Sequence, residues 1–147
     1  MADDVLQRLK KALADRYSIE REIGAGGMAI VYLAEEHHPK RQVAIKVLDP
    51  DIASHLLRQR FIREVELASK LIHPHIIPVF AAGEVDDLLY YVMPYIGGES
   101  VKNKLEREGV FPTRLALKIA QEVASALHYA HEMNIIHRDI KPANILL

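Results

Sequence analysis

The sequence predicts an α+β protein: a five-stranded antiparallel sheet with one main helix, followed by a group of further helices. Three observations carry this expectation. Residues 17–48 and 77–93 contain five runs rich in β-branched and aromatic residues, separated by glycine, proline or acidic turns. Residues 54–71, and later 100–134, place apolar side chains every three to four positions, which is the helical period. Between the last strand and the later helices, Pro94-Tyr95-Ile96-Gly97-Gly98-Glu99 gathers chain-breaking residues into a linker.

Composition narrows the classes. Half of the 147 residues are apolar, enough to bury a sizeable core as one ordinary domain. Lys and Arg total 19 against 20 Asp and Glu, a net charge of -1, so no basic face for a nucleic-acid partner is indicated. Cysteine is absent, which excludes disulfides and thiolate metal sites and fits a reducing, cytoplasmic setting. No window is long and apolar enough to span a membrane, and Asp3 and Asp4 stand where a signal peptide would be continuously apolar.

Val5, Leu6, Leu9 and Leu13 repeat at helical spacing, and Asp3 and Asp4 suit the positive start of a helix. Residues 1–16 are therefore expected to form an amphipathic brace packed on the domain, a better fit than a membrane helix. Tyr17 to Ile23 and Ile30-Val31-Tyr32-Leu33 read as strands around the hairpin Gly24-Ala25-Gly26-Gly27-Met28-Ala29. Gly24, Gly26 and Ala29 also satisfy a dinucleotide-binding pattern, with Asp49 placed for a ribose, but such a site requires a helix directly after the glycines. Two β-branched residues and a tyrosine favour a strand there instead. A hairpin tip without bulky side chains lets backbone amides approach phosphates.

The third strand, Gln42 to Leu48, is apolar except for Lys46, and a buried strand tolerates a lysine only when it is paired. Leu57, Phe61, Val65, Ala68 and Leu71 mark one face of the next helix, from about Ser54 to Leu71. Glu64 borders that stripe, placed either to turn inward to Lys46 or to stay on the charged face with Arg60 and Arg63. His73-Pro74-His75 ends the helix; as a metal pair it would lack acidic neighbours. Ile77 to Gly83 and Leu88 to Met93 complete the sheet. Ser100 is expected to cap a helix over Val101 to Arg107, and Thr113 a longer one carrying Leu115, Ile119, Val123, Leu127 and Ala130. His128 and His131 fit ordinary core or surface positions on it better than a metal pair.

Near the C-terminus, His137, Asp139, Lys141 and Asn144 fall within eight residues, broken by Pro142. The apolar runs Ile135-Ile136 and Ile145-Leu146-Leu147 on either side read as two short buried strands holding a loop. A carboxylate, an ammonium and a carboxamide together suit proton acceptance, phosphate neutralisation and metal coordination.

With these motifs in this order, the chain from Tyr17 onward resembles a bacterial, eukaryotic-like serine/threonine protein kinase. The resemblance rests on Gly24 to Val31, Val43-Ala44-Ile45-Lys46, Glu64, and His137-Arg138-Asp139-Ile140-Lys141-Pro142-Ala143-Asn144, with Ala29 where the family pattern has a third glycine. It implies an N-lobe over 17–93, a hinge over 94–99 and a partial C-lobe over 100–147. ATP and Mg²⁺, with Mn²⁺ as a substitute, are the implied cofactors, and a protein serine or threonine hydroxyl the implied substrate.

The resemblance also assigns roles. Ile23, Gly24, Ala25, Gly26, Gly27, Met28 and Ala29 would cover the phosphates, and Lys46, oriented by Glu64, would neutralise them. Val31, Ala44 and Leu146 would sandwich the adenine with Met93 behind it; Pro94 and Ile96 would offer it backbone groups, and Glu99 would meet the ribose. Asp139 would take or orient the substrate proton, Lys141 would stabilise the transferred group and Asn144 would bind metal. No Asp-Phe-Gly stands among the 147 residues, so the chain resembles the front part of a kinase domain, truncated and with little activity alone. A non-catalytic nucleotide-binding or partner-binding module, self-associating through the apolar face of the Leu115 to Leu127 helix, is the alternative, and related full-length kinases are often membrane-anchored.

Overall fold

The computed structural model describes residues 2–147. The chain forms two compact units, the first taking in residues up to Lys70 together with Pro78–Tyr95, the second Leu71–Ile77 and Ile96–Leu147. Among the described residues, only Val101, Ala126 and Ala130 of the second unit are buried, whereas both hydrophobic clusters lie in the first.

The first unit is built on strands β1 (Tyr17–Ala25), β2 (Ala29–Glu36), β3 (Arg41–Leu48), β4 (Ala81–Val85) and β5 (Leu88–Pro94), all antiparallel in the order β1-β2-β3-β5-β4. Alternation along the strands separates two faces. Ile30, Tyr32, Ala34, Val43, Ile45, Val47, Leu88, Tyr90 and Val92 form one of them, packed with Val5, Leu9 and Leu13 of helix α1 (Ala2–Ala12) and the turn that follows it. The opposite face presents Leu48, Leu89 and Tyr91 to Phe61, Leu57 and Val65 of helix α2 (His55–Ser69). Ser54 caps α2 by accepting the Leu57 amide at 3.2 Å. The sheet is therefore sandwiched between two helices.

The amphipathic start of the chain thus completes the core. Leu9→Ala is expected to cost about 2–5 kcal/mol of unfolding free energy in urea titration. Lys11→Ala, on the exposed side, should change it by no more than about 0.5 kcal/mol. Equal small losses for both would mean that α1 contributes nothing to the core.

Strand β4 begins four residues later than its sequence suggests. Residues 71–77 are drawn into the second unit, where the Ile72 amide donates to the Tyr129 hydroxyl at 3.0 Å and His73 Nε2 meets Ser125 Oγ at 3.1 Å. Pro78 cannot donate to a ladder, and pairing starts with Phe80 N–H to Val92 O at 2.7 Å. Asp86 and Asp87, both at positive φ (49° and 60°), close the β4–β5 hairpin.

The second unit contains helices α3 (Val101–Glu108) and α4 (Thr113–Glu132) and a 3₁₀ turn at Pro142–Asn144. Ser100 caps α3 by accepting the Asn103 amide. Thr113, expected as a cap, is already helical; Pro112 occupies the cap position in an extended conformation without a side-chain hydrogen bond. Helix α4 is capped at Met133 and followed by Asn134 at φ 61°, with Asn134 N–H bonded to His131 O and Ile135 N–H to Ala130 O, a left-handed turn that leads the chain into the loop beyond. The two buried strands expected around that loop are not formed among the described residues. Ile136 is 64 % exposed, and Leu146 makes only an isolated bridge to Ser100, because the one backbone partner presented to 145–147 is the short stretch 99–101.

Candidate functional site

The glycine-rich segment is a tight turn between strands. Gly26 N–H donates to Ala29 O at 2.9 Å and β2 starts at Ala29, so the helix that a dinucleotide site needs is replaced by a strand. A Cβ at Gly26 or Gly27 would meet no atom within 4 Å, which leaves the backbone of the tip open to a ligand.

Strand register then gathers several of the expected residues on one sheet face. Val31 stands opposite Lys46, and Ala44 opposite Met93, while Pro94 pairs with Val43 at the end of β5. Because Ala44 and Lys46 are two apart on β3, their side chains share that face with Val31 and Met93. Helix α2 packs on the same face and delivers Glu64, whose Oε1 accepts from Lys46 Nζ at 3.1 Å. The inward alternative for Glu64 is the one realised.

Tyr91, which sequence reading left unassigned, also donates its hydroxyl to Glu64 Oε1, at 3.2 Å. Its ring centroid lies 5.6 Å from Lys46 Nζ. Burial works against the Lys46 ammonium, but Tyr91 and Glu64 outweigh it and hold the pKa above its ordinary value. The sign follows from linkage: the favourable contribution is complete below the unfolded value of about 10.4 and fades only as pH rises through the raised one. At neutral pH Lys46 is therefore a fixed positive charge. Lys46 and Glu64 are 25 % and 40 % exposed, so the pair adds little stability and its consequence is orientation.

In the second unit, the loop 137–144 brings its own polar groups together. Asp139 N–H donates to His137 Nδ1 at 3.1 Å, and Arg138 sits at φ 67°, a conformation few side chains adopt without a surrounding constraint. Asn144 Nδ2 donates to the Asp139 carbonyl at 2.9 Å and to its Oδ2 at 3.2 Å, while Lys141 Nζ lies 3.4 Å from Oδ1. Two of the expected residues, Lys141 and Asn144, thus converge on the carboxylate of a third, Asp139. Glu99 is held by Arg107, whose guanidinium pKa is raised chiefly by that hydrogen bond, and the Glu99 carbonyl accepts the Leu147 amide at 2.9 Å. A Cβ at Gly98 would collide with the Leu147 backbone oxygen, so the glycine lets 98 and 147 approach closely. Ile96 and Leu146 belong to this second unit as well.

Residues 17–147 match the model of the protein kinase domain. The chain belongs to the protein kinase family. This kinase chain is 45 % identical over 138 residues to the serine/threonine-protein kinase PrkC of Bacillus subtilis, covering 93 % of itself and 21 % of that protein. It is 43 % identical over 132 residues to PknJ of Mycobacterium tuberculosis (89 % and 22 %), and 40 % identical over 144 residues to PknD of Chlamydia trachomatis (90 % and 15 %). Among solved structures, the M. tuberculosis PknI kinase domain superposes with a TM-score of 0.77 at 38 % identity, over 89 % of this chain and 53 % of that one. The kinase chain thus spans a minor part of these curated relatives and little more than half of the solved domain. The α+β fold with a five-stranded sheet agrees with this membership.

Among the described residues no helix is long and apolar enough to cross a membrane, and no group of three or more His, Cys, Asp or Glu could hold a metal ion. The two His73 ring nitrogens meet Ser125 Oγ and the His75 amide, whereas His75 Nδ1 lies 4.0 Å from Glu122 Oε2, an acidic neighbour brought in from α4.

Proposed function

We propose that these residues bind Mg·ATP and transfer its γ-phosphoryl group to a serine or threonine hydroxyl of a protein. The observation that carries this is the convergence of Lys141 and Asn144 on Asp139, in a chain of the protein kinase family. Asp139 accepts or orients the hydroxyl proton as oxygen attacks phosphorus, and Lys141 offsets charge on the group in transfer. Lys46, aimed by Glu64, holds the α and β phosphates beneath the glycine turn at 24–29, with Ile23 and Val31 beside it. Val31 and Ala44, which share a sheet face with Lys46, contact the adenine, Met93 lies behind it, and Pro94 supplies its backbone carbonyl. A magnesium ion, or manganese in its place, fits the donor set: Asn144 uses its amide hydrogens on Asp139, which leaves its hard carbonyl oxygen for the cation. Asn144 would hold the metal, whose chemistry there would be to neutralise charge developing on the phosphates.

Calorimetric titration of the 147-residue protein with Mg·ATP should give saturable binding, weakened about tenfold or more by Lys46→Ala through loss of a charge-assisted phosphate contact. Labelled γ-phosphate should appear only slowly on serine or threonine of an added protein, because no Asp-Phe-Gly stands among the 147 residues to hold a second metal ion. Binding without transfer would reduce the reading to a nucleotide-binding module, and no binding at all would remove it.

A further inference from the structure

We propose that Tyr91 is the positioning residue of this site, holding Glu64 through its hydroxyl so that Lys46 is aimed before any nucleotide arrives. The proposal rests on the kinase reading above and adds to the Lys46–Glu64 pair a third member. Glu64 Oε1 accepts both hydrogen bonds, from Lys46 Nζ at 3.1 Å and from Tyr91 at 3.2 Å.

The two donors differ in stiffness. Lysine reaches its partner through a flexible four-carbon stem, whereas a tyrosine side chain has two torsions. Tyr91 is buried, and its ring centroid lies 5.5 Å from that of Phe61, itself buried on α2. The hydroxyl is therefore a fixed point in the sheet, and the carboxylate bonded to it is fixed in turn. Register places the same ring directly across from Lys46, near enough for the π-face to restrain the ammonium from the side. Without the tyrosine, a carboxylate 40 % exposed and an ammonium 25 % exposed would form a pair that water readily competes with. The plainer account is a core aromatic whose hydroxyl bonds the nearest acceptor. The two accounts separate when the hydroxyl alone is removed, because Tyr91→Phe keeps the ring.

The test is a set of Mg·ATP dissociation constants for the wild type, Tyr91→Phe, Lys46→Ala and the double variant. Tyr91→Phe is expected to weaken binding about fivefold to tenfold, less than the full worth of a hydrogen bond to a charged group because Lys46 keeps its own bond to Glu64. In the Lys46→Ala background the same change should have less than about a twofold effect, since its route to the phosphates is gone. Wild-type affinity in Tyr91→Phe, or an equal factor in both backgrounds, overturns the proposal. A second measurement needs no nucleotide. The Tyr91 phenol, pushed up by burial, is pulled back by Lys46 and raised further by Glu64, so in NMR titration of labelled tyrosine Lys46→Ala should move it up and Glu64→Gln down. Indifference to both substitutions overturns the triad. Failure of the wild type to bind Mg·ATP removes the kinase reading, and the titration then decides the triad alone.

Discussion

Phe61→Ala is expected to destabilise the first unit by about 3–5 kcal/mol, the largest loss of any single core truncation on the α2 side of the sheet. Phe61 is the one residue of α2 that is fully buried, and it closes the cluster formed by Leu48, Leu89 and Tyr91 with Leu57, Val65, Met28 and Met93 around it. Truncation removes the ring that stands against Tyr91 and leaves space that rigid β-strands on the other side cannot fill. Its consequence reaches function because Glu64 lies one turn further along the same helix. A helix that loses its anchor presents Glu64 to Lys46 less often, so Mg·ATP affinity should fall together with stability. Urea denaturation and calorimetry measure the two. Leu56→Ala, on the exposed side of α2, serves as the control and should cost no more than about 0.5 kcal/mol. A loss below about 1 kcal/mol for Phe61→Ala would mean that α2 is held by something other than this cluster.

The Lys46–Glu64 pair was legible from sequence because a lone lysine in an apolar strand demands a partner, and the apolar stripe of the next helix brings Glu64 to its edge. Tyr91 was not legible by the same logic. Its place opposite Lys46 depends on the pairing of β3 with β5, two strands that are not consecutive in the chain, and on a register that no local pattern specifies. The face to which α1 docks was hidden for a related reason: the period of Val5, Leu9 and Leu13 declares an apolar stripe but not which side of the sheet receives it. At 135–136 and 145–147 the apolar runs were misleading, since apolarity signals a tendency to be buried and says nothing of where the covering surface comes from. Residue types in the loop 137–144 could be read directly, whereas the positive φ of Arg138 that shapes the loop could not.

Asp139→Asn should reduce the rate of phosphoryl transfer by about 10²–10⁴-fold, the span associated with losing a positioned general base. The substitution is nearly isosteric, and the structure indicates that the loop survives it. Asn144 still donates to the residue-139 backbone carbonyl at 2.9 Å, and the residue-139 amide still donates to His137 Nδ1. The side chain is exposed, so folding stability should shift by no more than about 0.5 kcal/mol. What changes is chemistry: an amide accepts no proton and carries no charge to hold Lys141 Nζ, now 3.4 Å away. Single-turnover incorporation of labelled phosphate, with protein in excess over ATP, measures the rate for both forms, and calorimetry checks that Mg·ATP affinity is retained. Transfer at an undiminished rate would take the proton-accepting role away from Asp139. A parallel collapse of ATP affinity would instead assign its carboxylate to binding, because Lys46 and the glycine turn, which hold the nucleotide in this scheme, are untouched by the substitution.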